Sequence, residues 1–262
     1  PETQDIPSLQ DNSGEIPASE PLSQEIIENS IPKKEAAPKS LEKKNIKDIN
    51  YDPNQTTSFL DLYNTGGSNR PVLIYLHGGN WIGGSRKNLP KSMTNYFDSQ
   101  NMIVAAIDFR AIQRVDFEQQ GITFREQMSD IAKAVSWIHQ NIAEYGGHPN
   151  DLHILGHGSG AHNAALLTTD PRFLNTQKVP HKSIQSIVAL DAPSYDIPRA
   201  IASAASHSIP TMADTLITRF GNDVTQVEAS PIAYLNQDKP YPSYLLVFTN
   251  DFPLQHNSPS SS

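Results

Sequence analysis

One short run constrains the fold of this chain more than any other: an apolar strand passes through a glycine-rich turn directly into a helix of small residues. Residues 152–156 form the apolar lead-in, residues 156–160 the turn, and residues 159–168 the helix. A strand that turns tightly into a helix is typical of a parallel sheet with helices packed on its faces, the turn lying at the carboxyl edge of the sheet. The run therefore predicts an α/β protein.

The rest of the chain repeats the alternation of strand and helix. Residues 71–77 and 101–108 are nearly uninterrupted apolar runs, as expected for strands covered on both faces. Further strands are predicted at residues 183–191 and 243–249, an early antiparallel strand at residues 56–63, and helices at residues 88–99, 124–142 and, in two pieces, 197–220. Right-handed crossovers between such strands give a mostly parallel, doubly wound sheet with helices on both faces.

The helix at residues 124–142 has the clearest pattern. Its apolar residues recur every three or four positions: Phe124, Met128, Ile131, Val135, Ile138 and Ile142. This spacing gives the helix one continuous buried stripe. Thr123 and Glu126 have the spacing of a capping box at its start, and Gly146 and Gly147 follow its end.

The first part of the chain has a different composition. Residues 1–45 contain no aromatic residue and are rich in Pro, Glu and Ser, so they cannot bury enough apolar surface to offset the entropy of ordering. We expect a disordered tether here and a folded domain at residues 46–262. The tether is either a spacer between a signal or lipid anchor and an exported enzyme, or a dispensable extension.

Composition argues against several function classes. Lys and Arg total 20 against 28 Asp and Glu, a formal net charge of -8, and no basic run alternates with aromatic residues, so nucleic acid is not an expected partner. The chain has no cysteine, so disulfides and thiolate metal sites are not expected. No stretch reaches the ~20 apolar residues of a membrane span. The spacings of His and Asp predict no metal site, and the glycine turn lacks the Lys of a phosphate-binding loop, so no cofactor is expected.

Five segments carry a resemblance to a known family. They are HGGNWIGGS (77–85), IDFR (107–110), DIAKAVSWIHQNIAEYGG (130–147), ILGHGSGAH (154–162) and ASPIAYL (229–235). In order and spacing they resemble the α/β-hydrolase esterases, specifically the carboxylesterase and lipase branch with an H-G-G-G-W motif. The resemblance covers most of the domain, and it implies an α/β-hydrolase fold and the hydrolysis of carboxylic esters.

Two departures from the family bear on activity. The family motif G-x-S-x-G, laid on residues 156–160, places Gly158 where the nucleophilic serine is expected and Ser159 where the family has alanine. The family also continues beyond its strand near residue 249 through another helix and strand to a catalytic histidine. This sequence ends at Ser262, so the resemblance implies a domain that is incomplete at its carboxyl end and lacks that histidine.

The resemblance also assigns roles to individual residues. The backbone amides of Gly78, Gly79 and Ser159 correspond to the family's oxyanion hole, whose donors stabilise the negative charge of the transition state. Asp251 corresponds to the acid that follows the last apolar strand, although Asp191 and Asp108 also end strands. None of the nine histidines matches the family's base, since His256 follows Asp251 too closely to allow the missing helix and strand.

Three interpretations of function remain open from the sequence. The first is a carboxylic ester hydrolase that is inactive or severely impaired because of Gly158 and the missing histidine segment. The second is a natural pseudoenzyme that binds an ester-like ligand or a partner protein without turnover. The third is hydrolysis by Ser159 through a one-residue slip of the motif, which puts His157 where the turn favours a small residue. In addition, residues 243–249 would form an open apolar sheet edge, which predicts self-association.

Overall fold

Seven strands of the described residues form one sheet in the computed structural model, in the order β1-β2-β4-β3-β5-β6-β7. The structure describes residues 41–113, 121–207 and 209–249. The strands are β1 (Leu41–Asn50), β2 (Phe59–Gly67), β3 (Arg70–Leu76), β4 (Ile103–Ile107), β5 (Gly147–His157), β6 (Ile184–Leu190) and β7 (Ser243–Val247). β1 and β2 pair antiparallel, as do β2 and β4, and all other pairs are parallel. The predicted mostly parallel sheet is confirmed.

Helices connect the strands and cover both faces of the sheet. They are α1 (Lys91–Ser99), α2 (Phe124–Asn141), α3 (Ser159–Thr169), α4 (Pro171–Thr176), α5 (Ile197–Ser206), α6 (Pro210–Phe220) and α7 (Asp223–Glu228). Short 3₁₀ turns lie at Arg86–Asn88, Ile142–Tyr145, His181–Ser183 and Pro231–Tyr234. The two short helices α4 and α7 were not predicted, because six residues are too few to show a helical period. Across the described ranges, every helix is too short or too polar to cross a membrane.

The sheet separates two apolar layers, because its central strands are covered on both sides. All five residues of β4 are buried. On one face Ile74 and Leu76 pack into the larger core with α2 and α3. On the other face Leu73 and Tyr75 pack against Phe97 of α1. This burial explains the uninterrupted apolar runs of the sequence.

Helix α2 forms as its sequence pattern predicts. Met128, Ile131, Val135 and Ile138 are buried on one face. At its start the Thr123 hydroxyl accepts from a backbone N–H of the first turn, and the Thr123 N–H donates to the Glu126 carboxylate at 2.8 Å. The capping box is therefore confirmed, and it fixes where the helix begins.

The ordered domain begins earlier than the predicted boundary between residues 45 and 46. Strand β1 starts at Leu41 and pairs with β2, with Ile46 opposite Leu62. Half of the residues of β1 are charged, so its composition does not indicate a strand. The strand forms because its backbone pairs with that of β2. Residues 1–40, most of the predicted tether, lie outside the described residues.

Candidate active site

A single glycine in a left-handed conformation links β5 to α3. Gly158 has φ 55° and ψ -122°, between the end of β5 at His157 and the start of α3 at Ser159. Its N–H donates to the carbonyl oxygen of Leu190 at 2.8 Å, which ties the turn to the neighbouring strand β6. Residues 156–160, here called the elbow, therefore stand at the carboxyl edge of the sheet, as predicted.

The space around the elbow distinguishes its glycines. A Cβ at Gly160 would collide with the carbonyl oxygens of Leu76 and His77, so this position needs glycine for the close approach of α3 to β3. At Gly158, by contrast, the nearest atom to a Cβ is the Gly78 Cα at 3.8 Å, an ordinary contact. Position 158 therefore needs glycine for its backbone conformation alone, and a side chain there has room.

Ser159 occupies a different environment from Gly158. It is the first residue of α3 and is 4% exposed. The left-handed backbone falls at residue 158 and not at residue 159. In a nucleophile elbow the strained residue is the one that carries the nucleophile, and here that residue is Gly158.

Residues 77–84, here called the HGG loop, follow β3 and face the elbow. The loop turns back on itself through a hydrogen bond from Ile82 N–H to Gly79 O (3.1 Å). Asn80 and Trp81 both have positive φ, 53° and 64°, a conformation that costs free energy for residues with a Cβ and that the surroundings must hold in place. The loop is therefore a strained segment that depends on contacts with the rest of the fold.

Trp81 provides several of those contacts. Its carbonyl oxygen accepts from Ile112 N–H (2.8 Å) and Gln127 Nε2 (3.0 Å). Its buried indole packs edge-on against His162 and Phe220, at centroid distances of 5.1 and 5.0 Å. The ring and the carbonyl thus hold opposite sides of the same strained residue.

Three backbone N–H groups are free at the junction of loop and elbow. Within the part of the chain that the structure describes, the amides of Gly78, Gly79 and Ser159 have no protein acceptor. Gly79 precedes the strained pair of the loop, and Ser159 begins α3, where the helix dipole adds partial positive charge. Such amides can donate to a carboxylate or to a developing oxyanion.

Two of the histidines at this site, His77 and His162, are not available as a base. His77 stacks on Phe109 at 4.1 Å and donates from Nδ1 to Gly78 O (2.9 Å), and burial lowers the pKa of its imidazole. His162 donates from Nδ1 to Ser194 O (2.8 Å), and complete burial lowers its pKa to about 4. Both rings are neutral at pH 7 and serve as packing groups.

Two of the three candidate carboxylates have structural partners. Asp191 accepts from the N–H (2.6 Å) and hydroxyl (3.0 Å) of Thr249, and the N–H bond lowers the pKa of its carboxyl group. Asp108 accepts from Arg86 N–H at 2.6 Å and forms an ion pair with its guanidinium. Asp251, the predicted acid, and His256 lie outside the described residues.

Two buried polar residues, one near the HGG loop and one bonded to it, were not predicted from the sequence. Buried Arg86 forms ion pairs with Asp48, Asp61 and Asp108, three residues from separate elements. Buried Gln127 bonds to the HGG loop from α2. These partners are far apart in the sequence, so no local spacing signals them. Among the described residues, no group of three His, Asp or Glu side chains is arranged to hold a metal ion.

Comparison with known proteins assigns this chain to a family. Residues 60–254 match the family model BD-FAE. The probable carboxylic ester hydrolase LipM of Mycobacterium tuberculosis is 26% identical over 215 residues, which cover 78% of this chain and 47% of LipM. The chain thus spans about half the length of this relative.

Solved structures share the fold. Esterase B of Lactobacillus rhamnosis superposes with a TM-score of 0.60 at 18% identity, over 78% of this chain and 64% of that one. Esterase Est2 of Thermogutta terrifontis, solved with propionate bound, gives a TM-score of 0.55 at 18% identity, over 78% and 70% of the two chains. At such identities the likeness concerns the fold alone.

Proposed function

Because this chain belongs to the BD-FAE family of α/β-hydrolase carboxylesterases, we propose that the elbow and the HGG loop form an ester-binding site whose turnover is absent or severely impaired. The observation that carries this proposal is the conformation of Gly158. The residue has the left-handed backbone of a nucleophile position and room for a side chain, but as a glycine it has no side-chain hydroxyl to act as the nucleophile.

Ester hydrolysis needs a nucleophile, a base, a carboxylate that orients the base, and donors for the oxyanion. In our proposal the donors are the amides of Gly78, Gly79 and Ser159, and Asp251 stands at the position of the acid. The nucleophile is missing, since residue 158 is a glycine. Loss of one triad member leaves about 10³ to 10⁴-fold acceleration over water.

The ligand class follows from the donors and from the relatives. LipM is named as a carboxylic ester hydrolase and Est2 was solved with propionate. We propose a small carboxylic ester, or the carboxylate of its acyl part, as the ligand of this chain. The carboxylate oxygen would accept from the free amides of the loop and of α3.

A natural pseudoenzyme is the second candidate, and one observation favours it. Glycine adopts the backbone of residue 158 without the strain that serine would carry. A site that only binds would gain stability from this replacement. Such a pseudoenzyme would bind an ester-like ligand or a partner protein without turnover.

Self-association is part of the proposal. Strand β7 is exposed along its whole length, and Tyr244, Leu245, Leu246 and Val247 are between 37% and 57% exposed. An apolar edge strand with free backbone groups is a template for pairing with a second chain. We therefore propose that two or more copies associate through β7.

Turnover and labelling test the proposal together. The chain and a Ser159→Ala variant are assayed with p-nitrophenyl butyrate and with a fluorophosphonate probe, whose attachment is mapped by peptide mass spectrometry. We expect both proteins to hydrolyse at the same low rate, at most about 10³ to 10⁴-fold above the uncatalysed reaction, with Ser159 unlabelled. Labelled Ser159, together with activity that Ser159→Ala abolishes, would replace the proposal by hydrolysis through Ser159.

A further inference from the structure

A buried glutamine connects the HGG loop to α3. Gln127 lies in the first turn of α2 and is 1% exposed. Its Nε2 donates to the carbonyl oxygens of Trp81 (3.0 Å) and Arg110 (2.7 Å), and its Oε1 accepts from Asn163 Nδ2 (3.0 Å). Across residues 41–113, 121–207 and 209–249, no other side chain bonds to both the HGG loop and α3.

The chemistry of the partners fixes the orientation of this amide. The carbonyl oxygens of Trp81 and Arg110 can only accept, so the NH₂ group of Gln127 must face them. Its oxygen therefore faces α3, where Asn163, 2% exposed, presents its own NH₂ group. The buried amide has partners on both ends, as a buried polar group requires.

The helix that carries Gln127, α2, is itself bonded to Arg110, which follows the end of β4. Asp130, three residues on and completely buried, accepts from Arg110 Nε and Nη2, both at 2.7 Å. Residues at this spacing lie on one face of a helix. Gln127 and Asp130 therefore hold the backbone and the side chain of Arg110. These bonds fix the position of Gln127 relative to the segment that follows β4.

The Trp81 carbonyl is where the HGG loop most needs support. Trp81 is the second of two consecutive strained residues, and its peptide is held by Gln127 and by Ile112 N–H. Gly78 and Gly79, with their free amides, are three and two residues before it. On the other side of the amide, Asn163 is four residues after Ser159, whose amide is the third free donor.

We propose that Gln127 is a positioning residue that sets the separation between the amides of the HGG loop and the amide of Ser159. It touches neither ligand nor reacting atoms and acts through the Trp81 carbonyl and the Asn163 side chain. This inference rests on the proposed ester-binding function for its chemical purpose. The geometric claim, that Gln127 holds the loop against α3, has a readout that does not require a ligand.

Two readouts separate the claims: hydrogen exchange of the peptides covering residues 77–84 and 158–163, and the Kd of propionate measured by amide chemical shifts. They are applied to the unmodified chain, to Gln127→Met, which keeps the volume and loses the bonds, and to Gln127→Glu, which keeps the acceptor and loses the donors. Gln140→Met is the matched control, since exposed Gln140 lies on the same helix and bonds only to Ser136 among the described residues.

We expect both Gln127 variants to remain folded, to exchange about tenfold faster in residues 77–84, and to bind propionate about tenfold more weakly, because each loses the buried hydrogen bond from residue 127 to the HGG loop. Gln140→Met should match the unmodified chain.

Unchanged exchange in residues 77–84, or faster exchange spread evenly over the domain, would overturn the positioning role. Failure of the unmodified chain to bind propionate would instead refute the proposed function and leave the exchange result to decide on Gln127. If one of the two Gln127 variants fails to fold and the other folds with normal exchange in residues 77–84, the positioning role is also overturned.

Discussion

Gly158 and Gly78 face each other across the gap between the elbow and the HGG loop: a Cβ on residue 158 would lie 3.8 Å from the Gly78 Cα. The gap is thus wide enough for a side chain and lies beside free amides of the loop. No contact forces glycine on position 158, whereas its backbone angles favour glycine. Substitution of Gly158 can therefore separate the effect of this residue on the stability of the protein from its effect on ligand binding.

Gly158→Ala should destabilise the protein by about 1 to 3 kcal/mol, the usual cost of a side chain at such backbone angles. Gly221 is a matched control, since its φ of 69° and ψ of -130° are nearly the same and no atom lies within 4 Å of its Cβ position. Urea unfolding should give similar losses for Gly158→Ala and Gly221→Ala, with only the former weakening propionate binding. A much larger loss at Gly158 would show that the gap is filled.

Gly160→Ala should be more damaging than Gly158→Ala. Its Cβ would overlap the carbonyl oxygens of Leu76 and His77, which belong to the backbone and cannot rotate away. We expect a loss of about 3 kcal/mol or more, beyond the usual range for overpacking. A stability equal to that of Gly158→Ala in the same urea experiment would refute the close approach of α3 to β3.

Stability should fall as the pH decreases from about 6.5 to about 4, because of His162. Burial lowers the pKa of this histidine to about 4 in the folded state, whereas the unfolded chain binds the proton at the ordinary value near 6.5. Unfolding is therefore favoured by protonation over this interval, with a full effect of about 3 kcal/mol. His162→Asn, which keeps a donor for Ser194 O, should flatten the pH dependence of urea unfolding; an unchanged slope would be evidence against a buried neutral ring.

Arg86→Met should cost about 3 kcal/mol, since it removes the buried guanidinium that pairs with the buried carboxylate of Asp61 and leaves that carboxylate with the partly exposed Lys47. Asp61, 3% exposed, and Asp108 would lose their guanidinium. Arg125→Met is the control: this arginine pairs with Glu228 on the surface, and its loss should cost less than about 1 kcal/mol. Equal thermal shifts for the two variants would contradict a structural role for the Arg86 cluster.

Exposed apolar residues of β7 should cause concentration-dependent association. Sedimentation velocity of the unmodified chain should show mass increasing with concentration, and Leu245→Lys should suppress this by placing a charge on the edge. Val224→Lys changes an even more exposed apolar residue, 68% exposed, on α7 rather than on the sheet. A monomer at all concentrations, or equal suppression by Val224→Lys, would argue against pairing through β7.

The sequence predicted the features that depend on local pattern. The stripe from Phe124 to Ile138, the capping box at Thr123 and the buried strand β4 all follow from residue spacing and appear in the structure. The positions of the HGG loop and the elbow at strand ends also followed from local motifs. The parallel order of the central strands came from the alternation of strand and helix.

The contacts that hold the site together depend on distant pairing and were not predictable. Gln127 meets Trp81 across 46 residues and Asn163 across 36. Arg86 lies between 22 and 38 residues from its three carboxylate partners. Strand β1 was not predicted for the same reason, because its stability comes from β2. Local spacing carries no information on which buried polar groups meet in the fold.

A propionate titration of the unmodified chain, labelled with ¹⁵N at glycine and serine, tests the ester-binding site most directly. We expect the amide signals of Gly78, Gly79 and Ser159 to shift along one saturating curve, while that of Gly221 stays in place. If the three signals do not move, or if the shifts occur only at other residues, the elbow and the HGG loop do not form a binding site for an ester or its acyl part.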